Sequence, residues 1–314
     1  MQALNRRSDW KAFLQAGGHL GLLIATGALV WYASDKMAWW VYLPLLFVYG
    51  TFYAFVLNGS HELSHNTVFK TRGLNAFFLS LFAFLGWRNQ VMFWTSHEQH
   101  HKFTLYPPND LEVALPIRLT LMGFFKVGFV DVWRLRDTLK TTVRISLGKL
   151  EGEWEHHLFP DTDTDNRRAL VNSSRFLLAG HATIVGVSIY FDLWLLPVLT
   201  TFGSFYGGWL RYLCNNTQHA GLQDKVPDFR CSCRTVILNP FLKFLYWQMN
   251  YHIEHHMYAA IPCYNLGRLH REIQEDLPLC PVGLWAGWKD IIEIQKRQKV
   301  EPDYQYAPDL PVRV

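Results

Sequence analysis

Residues 97–101 read His97-Glu98-Gln99-His100-His101, and two other stretches carry the same pattern, His61-Glu62-Leu63-Ser64-His65 and His252-Ile253-Glu254-His255-His256. Eight of the 14 histidines thus fall into three short clusters. On a helix, residues three and four apart share a face, so His61/His65, His97/His101 and His252/His256 can each aim two imidazoles at one point. His100 and His255 add a third imidazole to their clusters. First-row metals take roughly four to six ligands, and catalytic sites keep a position open, so this many neutral nitrogen donors is too many for one ion. Two metal ions fit.

The clusters sit beside apolar runs. Residues 17–33 and 39–57 are apolar and separated by only a few polar residues, which reads as a helical hairpin across a bilayer and not as a signal peptide. Residues 176–191 and 193–212, broken by Asp192 and carrying Pro197, read as a second hairpin. The shorter stretches 74–87 and 114–130 read as helices lying on the membrane or packed under a cap, and the charged region 134–168 as water-facing. The expectation is an all-α integral membrane protein, a single domain over 1–314, with four transmembrane helices under a helical cap made of 58–175 and 213–314. Arg6, Arg7 and the basic middle region place both termini and all three clusters on the cytoplasmic side.

Composition agrees with a membrane and excludes other classes. Half of the 314 residues are hydrophobic, with 13 Trp, 14 Tyr and 22 Phe to supply interfacial belts. The formal net charge of +4 is spread along the chain, without the clustered basic face that nucleic acid requires. Five cysteines without C-x-x-C spacing are read as reduced, with Cys231 and Cys233 as bystanders.

The first cluster also matches the H-E-x-x-H pattern of zinc proteases literally, with Glu62 as general base, but that scheme leaves the other two clusters without a role. A histidine-coordinated receptor with about seven spans is likewise disfavoured by four apolar runs and three boxes. The set of three boxes, in this order around two apolar hairpins, closely resembles the membrane fatty-acid desaturase family, over roughly residues 39–271. Asn215 and His219, in Asn215-Asn216-Thr217-Gln218-His219, match two further family positions just after the last apolar run.

The resemblance implies a cytosolic helical cap over a four-helix stalk, with two irons held by His61, His65, His97, His100, His101, His219, His252, His255 and His256. Asn215 would reach one iron through water. It implies O2 as co-substrate and a lipid or fatty-acyl substrate carried as acyl-lipid or acyl-thioester. The product would be a C=C bond, the alternative being hydroxylation, ketone formation or oxidative decarboxylation of an acyl or terpenoid chain. No H-P-G-G signature of cytochrome b5 and no dinucleotide-binding glycine fingerprint is present, so electrons are expected from a separate ferredoxin or cytochrome b5 with its reductase. The third box starts with His252 where front-end desaturases have Gln. Glu62, Glu98 and Glu254 are candidates to orient neighbouring ligands. The remaining histidines, His19, His156, His157, His181 and His270, are read as bystanders.

Overall fold

The computed structural model describes residues 2–311. Among them the secondary structure is helical, with three isolated β-bridges and no strand. Two helices are long and apolar enough to cross a membrane, α1 (Asp9–Lys36) and α2 (Trp39–Ser64). They pack side by side as the expected first hairpin. α1 begins before the apolar run because its polar first turns have partners. Asp9 accepts from the backbone N–H and hydroxyl of Thr71 at 2.9 and 2.7 Å, and Gln15 Nε2 donates to the Phe244 carbonyl at 2.8 Å.

α2 runs past the apolar stretch and carries the first histidine cluster at its end. Its 26 residues amount to about 39 Å of helix, against a bilayer core of about 30 Å. His61, 22 residues beyond Trp39, therefore stands about 33 Å along the rod. α3 (Arg72–Leu85) folds back along this end of α2, and Asn75 ties the two together by donating to the Leu63 carbonyl at 2.8 Å. α4 (Gln90–Phe103) carries the second cluster, and Asn89 caps it by accepting from the N–H groups of Val91 and Met92 at 3.1 Å each. Residues 104–120 are irregular. They lead into α5 (Leu121–Gly128), α6 (Val132–Ser146) and the long α7 (Thr164–Tyr190), which packs against α6.

The second hairpin departs from expectation. Residues 176–191 lie mostly in the apolar second half of α7, whose first turns are polar, but 193–212 is not one helix. It breaks into a short turn at Leu195–Leu199, a 3-10 turn at Gly203–Phe205 and α8 (Trp209–Asn215). Four continuous apolar spans were expected and two are found among the described residues. The cause lies in a close approach to α2. Gly207 sits at φ +69°, and a Cβ there would meet the Gly50 carbonyl carbon and the Thr51 nitrogen at 2.6 Å. A Cβ on Gly50 would in turn lie 2.3 Å from the Tyr206 ring. Backbone crossing backbone at this distance requires glycine on both sides, and the left-handed residue ends any helix through it. After two short helices, Phe229–Ser232 and Pro240–Leu245, come α9 (His252–Met257), α10 (Cys263–Ile273) and α11 (Leu284–Gln298).

Large apolar side chains stand exposed on the long helices, among them Ile24, Trp39, Trp40, Phe176, Ile189 and Tyr190. Patches of this kind mark a surface that is not left in water.

The glycine crossing makes a stability prediction. Gly50→Ala should destabilise by about 1–3 kcal/mol, because the Tyr206 ring and backbone cannot both withdraw. Gly186→Ala, in α7 with open space around its Cβ position, should be neutral or stabilise by about 0.5–1 kcal/mol. Thermal melts of the detergent-solubilised variants decide it, and coincident melting curves would mean the two segments do not cross so closely.

Candidate metal centre

All three clusters meet at one place, under the ends of α2, α4 and α9. Nitrogen atoms of His61, His65, His97 and His255 all lie within 4.8 Å of one another. His101 joins this group, its Nε2 lying 3.1 Å from Nε2 of both His97 and His255. A second group contains His219, His252 and His256 together with the thiol of Cys233, again within 4.8 Å of one another. His100 belongs with it, its ring centroid 5.2 Å from that of His219 and 4.9 Å from that of His256. The nine histidines singled out from sequence are thus brought together as two adjacent clusters, all but His65 and His101 buried below a tenth of their surface. Asn215, at the end of α8, lines the cavity beside them with His219 and His252.

The hydrogen bonds on the outer ring nitrogens decide which way the lone pairs point. His219 Nδ1 lies 2.8 Å from the Ser232 carbonyl, an acceptor only, so Nδ1 carries the proton and Nε2 is a bare lone pair. His100 Nδ1 is held by Asp110 at 2.7 Å, His97 Nδ1 by Glu112 at 2.8 Å and His61 Nδ1 by Glu62 at 3.1 Å. His256 Nδ1 meets Thr104 Oγ1 at 3.1 Å, and that hydroxyl already donates to the His100 carbonyl at 2.6 Å, so His256 is the donor. Five imidazoles therefore turn unprotonated Nε2 atoms inward. His219 Nε2 faces His252 Nε2 at 2.9 Å, while Nε2 of His65 and of His256 are buried without any hydrogen-bond partner. Converging lone pairs repel one another in a dry site. They suit cations, and the donor set fits two first-row metal ions.

Electrostatics agrees. Burial first, and the neighbouring imidazoles second, hold His97, His101, His252, His255 and His256 well below the ordinary histidine range. Burial alone brings His65 down to about 4, and burial with the His100 neighbour brings His219 to about 3. Neutral imidazole is the ligating form, so at neutral pH no proton has to leave before a metal enters. Burial raises Asp110, but the His100 hydrogen bond and the N–H groups of Leu105 and Glu112 outweigh it and leave the carboxylate below its usual range.

Several sequence readings need correction. Glu98 points away from the centre and pairs with exposed Lys102 at 3.2 Å. Glu254 orients no ligand by contact. It accepts from Thr235 Oγ1 at 2.5 Å and pairs with His270, so His270 is no bystander but part of the brace under α9. Cys233, read as a bystander, stands in the second cluster. Asp110 and Glu112 were missed altogether, since they lie in the irregular 104–120 segment where no periodicity marks them. The one signal on offer was that acidic residues follow the second cluster within about three turns' length of chain. His181 is structural as expected, stacked between Phe84 and Trp87 and bonded to Thr201 Oγ1 at 3.2 Å.

A cavity of about 910 Å³ opens directly onto the histidines, at the upper end of the size range for small-molecule sites. His61, His97, His100, His219 and His252 form part of its wall.

If Asp110 and Glu112 hold ligand rings in place, Asp110→Asn should weaken metal affinity about 10- to 100-fold. Glu98→Gln, on an exposed pair, should leave it unchanged. Titration of metal-depleted protein with Co2+ measures both, and equal affinities for the two variants would contradict the tautomer argument.

Comparison with known proteins supplies the rest. No curated protein matches the chain. A family profile described as fatty acid desaturase matches residues 37–288, well over half of the chain and inclusive of every residue of both clusters. The chain belongs to the fatty acid desaturase family and is an enzyme of that family, a di-iron oxidoreductase.

Proposed function

We propose that the protein introduces a C=C bond into a fatty-acyl chain, carried as lipid or thioester, with two irons held in the paired histidine clusters. The observation that carries this reading is the inward convergence of imidazole lone pairs, fixed by Asp110, Glu112, Glu62, Thr104 and the Ser232 carbonyl, at the wall of a substrate-sized cavity. Iron bound there supplies the O2 activation that an unactivated C–H bond demands and no side chain offers. His61, His65, His97, His101 and His255 would hold one ion; His100, His219, His252 and His256 would hold the other, with Asn215 contacting it through water.

The chain's own groups do the rest. Phe93 stacks on His97 with centroids 5.0 Å apart and restrains the tilt of that ring. Glu62, between Nδ1 of His61 at 3.1 Å and of His255 at 3.6 Å, couples the orientation of two ligands from different helices. Electrons come from a separate ferredoxin or cytochrome b5 with its reductase.

The membrane reading is that α1 and α2 cross the bilayer and that α7 with the broken 193–212 segment forms the second pair. Both hairpin tips support it. A cleft lined by Trp31, Tyr32 and Asp35 on one side and Asp192, Leu193 and Trp194 on the other puts the two tips together, at the far end of α2 from the histidines. Aromatic residues concentrate there as at a membrane interface. The centre and both termini then share the cytoplasmic face.

Metal analysis of anaerobically handled protein should give about two irons per chain, and a single zinc would sink the di-iron reading. His219→Ala should lose iron along with turnover, while Asn215→Ala should keep most of its iron and lose most activity; exposed His156→Ala should match wild type in both. Gas chromatography of lipids from an expressing host reads turnover as new unsaturated chains. A cysteine placed at Asp163 should resist membrane-impermeant thiol reagents applied to intact cells, and labelling from outside would reverse the topology.

A further inference from the structure

Three arginines line the cavity that the metal clusters open into, and nothing in the reaction described so far uses them. Arg88 follows α3, Arg134 stands in the first turn of α6 and Arg211 in α8. Each is tethered to neutral groups. Arg88 Nη1 donates to the Leu57 carbonyl at 2.7 Å and to Ser60 Oγ at 3.0 Å, and its guanidinium lies 3.9 Å from the centre of the Phe93 ring. Arg134 donates to the Ser204 carbonyl at 2.7 Å, and Arg211 Nε to Asn58 Oδ1 at 3.1 Å.

None of the three has a carboxylate within 4.0 Å among the described residues. The nearest acidic groups are committed elsewhere. Glu112 holds His97 and accepts from Ser96 at 3.0 Å, Asp131 caps α6, and Asp137 pairs with exposed Arg136. At longer range Glu112 acts on Arg88 and Asp131 on Arg134, and the guanidiniums also feel one another. Burial first and Arg211 second push Arg88 down to about 9 and Arg134 to about 10, still charged at neutral pH.

A guanidinium offers five N–H donors, and here Arg88 Nη2, Arg134 Nε and both Nη groups of Arg211 make no hydrogen bond among the described residues. Glu112, Asp137 and Glu155 share the cavity wall, but none of them forms an ion pair with the three arginines. Buried like charges that are not ion-paired are costly, and spare planar donors match a compact oxyanion. The position is informative as well. Arg211 stands four residues before Asn215 on α8, roughly 6 Å along it, and its partner Asn58 stands three residues before His61 on α2, roughly 4.5 Å along it.

We propose that Arg88, Arg134 and Arg211 bind the oxyanionic head of the substrate, a carboxylate or a phosphate, inside the cavity and beside the metal centre. This rests on the reading of the cavity as the substrate's.

The test titrates iron-loaded full-length protein in a neutral maltoside detergent with octanoate, octyl phosphate and octanol, followed by calorimetry. At least one anion should bind ten-fold or more tighter than octanol, and the difference should shrink as salt rises. Tighter octanoate marks a carboxylate head, and tighter octyl phosphate a phosphorylated one. Arg134→Gln should lose about ten-fold in anion affinity, with octanol binding and iron content unchanged. Equal binding of all three probes by the wild-type protein overturns the proposal without reliance on any variant. Iron content separates this from the function itself: two irons without anion preference would leave the di-iron reading standing, and one zinc with the preference intact would leave the arginine site standing.

Discussion

An imidazole has two nitrogens and, when neutral, one proton, and the architecture of this protein depends on where that proton sits. Wherever an outer acceptor takes the Nδ1 proton, the Nε2 lone pair is committed to the inside. The acceptors come from places far apart in sequence: Asp110 and Glu112 from the irregular segment after α4, the Ser232 carbonyl from the approach to α9, Thr104 from the end of α4. A cluster of histidines on a helix supplies candidate ligands, but only the surrounding acceptors convert them into a donor set of fixed direction. The tie between α2 and α3 through Asn75 and the brace of Thr235, Glu254 and His270 serve the same end, since a ring cannot be aimed from a helix that is free to turn.

Much of this was legible in the sequence, for a physical reason. Ligand spacing of three and four residues is a helical property, so His61/His65, His97/His101 and His252/His256 announce both their secondary structure and their shared direction. His219 carried no such periodicity and was reached only through likeness to a family. Asp110 and Glu112 lie in a stretch without regular structure, and Cys233 comes to His219 and His256 only through tertiary folding. The 193–212 segment looked like a span because hydropathy registers side chains. What breaks it is a backbone crossing, marked in the sequence only by Gly50 and Gly207 standing at unrelated positions.

Two environments meet at the end of α2. Along the rod the exposed surface is apolar and aromatic, and beyond it the walls turn to Arg88, Asn58, Asn215 and Arg211 around the histidines. A reactive centre placed there is dry enough to keep its imidazoles neutral and is still bordered by charged groups able to meet a polar substrate end.

The length of α2 has a mechanical meaning. Two helical segments in succession, Trp39–Tyr53 and Val56–Ser64 with a two-residue turn between them, join the hairpin tip to the ligands His61 and His65, so with α2 crossing the bilayer as proposed above, its length against bilayer thickness sets the height of the centre above the lipid. In a thinner bilayer such a rod tilts and its far end sinks toward the head groups. In that arrangement α2 would act as a depth gauge, and the composition of the surrounding lipid would govern how far a chain must rise out of the membrane to reach the centre.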